Sequence, residues 1–235
     1  SASGSSGIVA GFYSAVSDCT ATGSTFSGVA ANTGSVITRC TAQGNGTTGI
    51  SSGTAVSHCV ATGNGGDGIS GQGTVTACVA NGNVTGIRGG VGAVIFGCTA
   101  SGNSATGISV NDGGSIIDCA AMNNVSSNIV CADGCLVRGC NAFANNVFPS
   151  VANIVATGGE NRLEHNNATG ATRGFDVNGA GNFLSGNTAR NNTTNYSVVA
   201  GNICYVLAAT TSAAINGSSG GVSPGTTSAW VNYSF

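Results

Sequence analysis

One short unit recurs along most of this chain and limits what it can fold into more than any other feature. The unit is complete in Val36-Ile37-Thr38-Arg39-Cys40-Thr41-Ala42-Gln43-Gly44-Asn45. Its cysteine returns at Cys19, Cys40, Cys59, Cys78, Cys98, Cys119 and Cys140, in steps of 21, 19, 19, 20, 21 and 21 residues. An alanine stands two residues after each cysteine, from Ala21 to Ala142, and a Gly-Asn pair follows at Gly44-Asn45, Gly63-Asn64, Gly82-Asn83 and Gly102-Asn103. A second landmark precedes each unit: Gly28-Val29, Gly49-Ile50, Gly68-Ile69, Gly86-Ile87 and Gly107-Ile108, then Asn128-Ile129, Asn153-Ile154, Gly174-Phe175 and Asn195-Tyr196. Two or three short strands and their Gly/Asn turns fill such a period and leave no room for a helix. A unit this small cannot bury its own apolar face. Stacked copies can, with each strand paired to its equivalent one coil away at about 4.8 Å.

Equivalent residues then stand in ladders along the stacking axis. Ile8 through Tyr196 form an aliphatic-to-aromatic ladder, the cysteines a second and the alanines a third. The cysteine row changes identity at Asn166 and again at Asn187. The expected fold is all-β, a parallel β-helix of about nine to ten coils with a repeat of about 21 residues, over residues 1–207. The period fades at about Ala208, and residues 208–235 read as an irregular tail that caps the last coil or bridges to another subunit. Its end, Trp230-Val231-Asn232-Tyr233-Ser234-Phe235, is expected to fold back over that coil. The long spacing between Asn128 and Asn153 predicts an inserted loop around Asn145-Asn146-Val147-Phe148-Pro149-Ser150.

The pattern G-[IV]-x(6–10)-[VIL]-x-x-[CN]-x-A-x-[GN]-N resembles the right-handed parallel β-helix repeat of the pectate-lyase-like superfamily, over about residues 7 to 205. The right hand is what that resemblance implies. The tail resembles the ends of secreted bacterial β-helix proteins to which no activity is attached. The superfamily's common activity, polysaccharide cleavage, is an expectation carried by the resemblance alone, since no calcium or catalytic motif of the pectate lyases aligns residue by residue.

Composition excludes several classes. Charged residues make up 6% of the chain, against the ~25% of an ordinary soluble domain. The six basic residues are all arginine, and the net charge is −2, so nothing draws this chain electrostatically to nucleic acid. No apolar run approaches the ~18 residues of a membrane span. Scarce charge, abundant Asn, Ser and Thr, and a small-residue start at Ser1-Ala2-Ser3-Gly4 suggest a processed extracellular or cell-surface protein. The sequons at Asn45, Asn83, Asn124 and Asn195 are candidates for surface glycosylation.

Candidate chemistry is sparse. Cleaving a glycosidic bond needs clustered carboxylates or a base beside a bound cation. The one concentration of charge is Arg138, Glu160, Arg162, Glu164, His165, Arg173, Asp176 and Arg190. Of these, Glu160, Glu164, His165, Arg173 and Asp176 are the candidates for catalysis, and Arg138, Arg162 and Arg190 for holding an acidic sugar. The competing reading is a set of surface ion pairs around an irregular coil. The row Cys19 to Cys140 reads as small buried hydrophobes rather than a metal or redox stack. Cys131 and Cys135, outside that row, flank Ala132-Asp133-Gly134 and are candidates for a local disulfide. No metal or cofactor is implied. Two functional readings follow. The first is a non-catalytic structural solenoid that associates with itself, head to tail, into filaments, because the repeat begins at Gly7-Ile8 with no polar cap before it. The alternative is a secreted polysaccharide-binding or polysaccharide-degrading protein. Ice binding, from the Thr20-Ala21-Thr22 row, is a minor third.

Overall fold

A computed structural model of the chain describes residues 5–144, 151–208, 214–217 and 231–234, and every regular element within them is a strand of two to five residues. The strands sort into three parallel sheets of 11, 10 and 11 strands, here called A, B and C. Each coil contributes one strand to each sheet in turn. The third coil, for example, runs through Ile50–Ser52 in sheet A, Ala55–Ser57 in sheet B and Val60–Thr62 in sheet C. Its neighbours match it residue for residue: Ile50 lies between Val29 and Ile69, Val56 between Ile37 and Val75, and Ala61 between Ala42 and Ala80. The chain is an all-β right-handed parallel β-helix of about nine turns with a repeat of about 21 residues. The loop expected at 145–150 lies outside the described residues.

Alternation fixes which side chains face inward. In sheet A the outer two residues of each three-residue strand point into the core and the middle one points out. In sheets B and C the middle residue points in. The ladder from Val29 through Ile50, Ile69, Ile87, Ile108, Ile129 and Ile154 is fully buried. Burial of each such side chain contributes about 2 kcal/mol. The ladder continues into Phe175 and Tyr196, stacked with ring centroids 5.0 Å apart and planes 5° from parallel.

The corner between sheets B and C is turned by one residue in the left-handed region. It is Asp18, Arg39, His58, Ala77, Gly97, Asp118, Gly139, His165 or Gly186, with φ between 50° and 67°. The next residue is the cysteine of the repeat. Its thiol is more than a small hydrophobe. The backbone N–H of Cys40 donates to the sulfur of Cys59 at 3.3 Å, and those of Cys59, Cys78 and Cys98 to the next sulfur at 3.4 Å. Each thiol lies 3.2 to 3.3 Å from the carbonyl oxygen two residues before it. Asparagine does the same work. Cys140 N–H donates to Asn166 Oδ1 and Asn166 N–H to Asn187 Oδ1, both at 2.9 Å, while Asn166 Nδ2 donates to the Val137 carbonyl. A carboxamide and a thiol each offer one acceptor and at least one donor here, which is why the row changes identity without breaking.

The corner between sheets C and A carries a second column, made of buried carboxamides. Asn45 donates its N–H and its Nδ2 to Asn64 Oδ1, and Asn64 does the same to Asn83. The column continues through Asn103 to Asn124. The glycine that opens each coil makes room for it. A Cβ on Gly28, Gly49, Gly68, Gly86 or Gly107 would lie 2.5 to 2.7 Å from the corner asparagine's Nδ2 in the same coil. The eighth coil lacks that asparagine, and its opening residue is asparagine instead of glycine. In the eighth coil Ala171 holds the corner, and Asn153 supplies the carboxamide that reaches Asn192. Asn128 accepts from Asn124 in the seventh coil, and Asn195 from Asn192 in the tenth.

Two sequence expectations are corrected here. The sequon asparagines Asn45, Asn83, Asn124 and Asn195 are rungs of this column, all at most 2% exposed, and are closed to glycosylation in the folded chain. Cys131 and Cys135 form no disulfide: both are free. Cys131 lies in the inner row of sheet A and approaches the Val155 carbonyl, whereas Cys135 approaches the Asn111 carbonyl and heads a third column, its N–H donating to Asn161 Oδ1 at 2.7 Å.

The tail carries strands where the sequence period had faded. Ala214–Gly217 extends sheet A beside Thr194–Val198. Asn232–Ser234 enters sheet C between Thr188–Arg190 and Val206–Ala208. Trp230 and Phe235 lie outside the described residues.

Candidate functional site

The outer face of sheet A presents one outward residue per coil: Ser51, Ser70, Arg88, Ser109, Val130, Val155, Asp176 and Ser197. A depression of about 280 Å³ crosses this face over the fifth to seventh coils. Arg88, Ser109 and Val130 form its floor. Thr85 and Thr106 come from the turns that lead into sheet A, and Asn111, Ala132 and Thr157 from the turns that leave it. Both turns rise beside a three-residue strand, so the depression is as wide as one strand is long.

Arg88 is the charged member. Its Nε donates to Asp67 Oδ2 at 2.8 Å, and its Nη2 to Asp67 Oδ1 at 3.2 Å and to Thr85 Oγ1 at 3.3 Å. The Asp67 hydrogen bonds hold the guanidinium above its already high ordinary pKa, so its charge is permanent. Half of the Arg88 side chain remains exposed, and Nη1 makes no hydrogen bond among the described residues. Four hydroxyls, one carboxamide and one pinned guanidinium around an apolar patch make an arrangement that can accept and donate hydrogen bonds to a polyol and neutralise a carboxylate. Among the described residues no three His, Cys, Asp or Glu side chains converge as metal ligands.

The residues singled out in the sequence are brought together only in pairs. Arg162 and Glu164 lie on the outer face of sheet B, joined at 2.5 Å, with the Arg162 guanidinium 5.9 Å from the centre of the Phe183 ring. Arg138 is the register partner of Glu164 on the same face. Arg173 and Asp176 form a pair at 3.1 Å on sheet A, four rungs and so about 19 Å beyond Arg88. Arg190 is on sheet C, Glu160 in the turn from A to B, and His165 at the corner from B to C. The concentration seen in the sequence is therefore spread over three faces. The sequence reading missed Arg88. The available signal was an arginine set between Ser51 and Ser70 on one side and Ser109 on the other in the outward row. The Thr-x-Thr row of sheet C is complete only at Thr20 and Thr22, since Thr22 pairs with Gln43 and Thr41 with Val60.

The architecture defines a class, the parallel β-helices with a lateral groove on one sheet. No family model matches the sequence, and no curated protein matches it. Solved structures do match in fold. The pectate lyase Pel9A is similar at a TM-score of 0.56 with 17% identity, covering 82% of this chain and 60% of that one. The A-module of the mannuronan C-5 epimerase AlgE6 of Azotobacter vinelandii is similar at a TM-score of 0.51 with 15% identity, covering 90% of this chain and 63% of that one. This chain thus spans a little over three fifths of their length.

Proposed function

We propose that this chain is an extracellular polysaccharide-binding β-helix that holds an acidic glycan across the outer face of sheet A. The observation that carries the reading is the depression around Arg88, whose guanidinium is fixed by Asp67 and Thr85 while Nη1 stays open. A uronate carboxylate would pair with that guanidinium, and sugar hydroxyls with Thr106, Ser109, Asn111 and Thr157. The names of the two fold relatives, a pectate lyase and a mannuronan epimerase, support a glycan over other ligands. They favour this reading over the non-catalytic filament subunit, the first of the sequence readings.

Affinity electrophoresis through polygalacturonate, alginate and neutral dextran tests it. The expected result is retardation by one or both acidic polymers, falling at least tenfold in Arg88→Ala and weakening with salt. No retardation by any polymer, or retardation unchanged in Arg88→Ala, would overturn it. The same incubation, read for unsaturated or reducing ends, tells binding alone from cleavage. Glu164→Ala and Arg173→Ala then test the two ion pairs as contributors to turnover.

A further inference from the structure

The Asn232–Ser234 strand enters its sheet out of order. In the first nine coils each sheet C strand pairs with its equivalents one coil away. After Thr188–Arg190 the next sheet C strand along the chain is Val206–Ala208, yet the two do not pair. The last strand of the chain lies between them, bonded on both sides.

Recognition of that strand is complete within three residues. Asn232 Oδ1 accepts from the N–H and the Nδ2 of Asn187, at 3.0 and 2.7 Å. Asn232 Nδ2 reaches the carbonyls of Leu184 and Tyr205, at 2.8 and 3.1 Å. The Tyr196 hydroxyl lies 2.9 Å from the Tyr233 carbonyl, and Asn195 Nδ2 lies 2.8 Å from Ser234 Oγ. The slot cannot stand empty without loss. Val206, next in register above Asn232, has no side-chain acceptor to offer Asn187. Thirteen residues separate Gly217 from Val231 in the sequence, enough chain to reach about 45 Å when extended.

We propose that this slot is a strand-binding site filled by residues 231–234 either of the same chain or of a second copy, so that two copies associate by exchanging C-terminal strands. These bonds run between residues 232–234 and the slot, so a strand from a second molecule can make the same bonds. A reciprocal exchange closes as a two-fold dimer and satisfies both slots. This self-association is independent of the glycan reading and of the chain's first coil.

The test is refolding of the full chain from denaturant at low and at high protein concentration, followed by size-exclusion chromatography with light scattering. The expected result is monomer at low concentration and a dimer at high concentration that persists on dilution, because release requires a strand to leave its sheet. Refolding two fluorescently labelled pools together gives energy transfer within the dimer. A fluorescent peptide of the sequence Ser-Ala-Trp-Val-Asn-Tyr-Ser-Phe, residues 228–235, present in excess during refolding, is captured by the chain and lowers the dimer fraction at least tenfold. The same peptide with Leu at the Asn232 position is not captured. Monomer at every concentration, a dimer unaffected by the peptide, or equal capture of both peptides would overturn the proposal.

Discussion

Asn187 donates both its backbone N–H and its carboxamide to one oxygen, Oδ1 of Asn232, a residue 45 positions further along the chain. The bond pair repeats the contact that Asn166 makes to Asn187. The end of the chain is thus read by its last coil as one more copy of the repeat, although Asn232-Tyr233-Ser234 shares with Cys-x-Ala only the spacing of its inward residues.

Glycine and corner asparagine occupy one space, so their substitutions should compensate. Asn83→Ala removes the acceptor for the N–H and Nδ2 of Asn64 and is expected to cost about 2–3 kcal/mol. Gly68→Asn alone forces a side chain to within 2.5 Å of Asn83 Nδ2 and is expected to cost at least as much. The double variant recreates the Asn153 and Ala171 arrangement of the eighth coil. Urea unfolding should show a favourable coupling of about 1–2 kcal/mol between the two changes. Additive losses would show that the two positions do not share one space.

At the corner between sheets B and C the backbone alone decides the outcome. Ala77 holds φ 50° and Gly97 φ 61°, and a Cβ on Gly97 would meet nothing within 4 Å. Gly97→Ala is expected to destabilise by about 1–2 kcal/mol through conformational strain. Ala77→Gly should relieve the same strain, offset in part by the greater freedom of the unfolded chain, for a net gain of up to about 1 kcal/mol. Thermal melts of the two variants should shift in opposite directions.

The thiols should be silent in the folded protein. All ten cysteines are free, and Cys19 alone among them is not buried. Native protein titrated with a thiol reagent should react at one site, and denatured protein at ten without reductant. A shortfall of two in the denatured count would reveal a disulfide.

Stability should fall on the alkaline side. Burial pushes the thiols of Cys40, Cys131 and Cys135 above their ordinary value of 9.0, that of Cys204 up to about 12, and the Tyr196 hydroxyl well above 10.0. The folded state therefore holds these protons more tightly than the unfolded state does. Their contribution is fully present below about pH 9 and is lost as pH rises toward 12. Urea midpoints measured from pH 7 to pH 11 should stay level up to about 9 and then decline. A midpoint that rises across that interval would contradict the burial of these groups.

The sequence made the coils legible because period and alternation are local signals. Ile50, Val56 and Ala61 face inward where a strand reading puts them. Charge was harder to place. Glu164 and Asp176 are 12 residues apart in sequence, yet they stand on different faces, since the chain turns two corners between them that a one-dimensional count does not register. Arg88 drew no attention because its partner, Asp67, lies one coil back, 21 residues away. The tail strand was missed for another reason. Asn232 matches Asn166 and Asn187, but Ser234 replaces the alanine and the strand stands 45 residues beyond Asn187, outside the period.

The exchange of glycine for asparagine at Asn128, Asn153 and Asn195 has a consequence for how such a rod can change over evolutionary time. A coil that brings its own carboxamide at the start of sheet A no longer needs Gly-Asn at the corner before the next coil. In the eighth coil that corner is released from the demand for one amino acid, and Ala171 occupies it while the column continues through Asn153 to Asn192. In a scaffold whose inward positions repeat from coil to coil, this is a licensed point of variation.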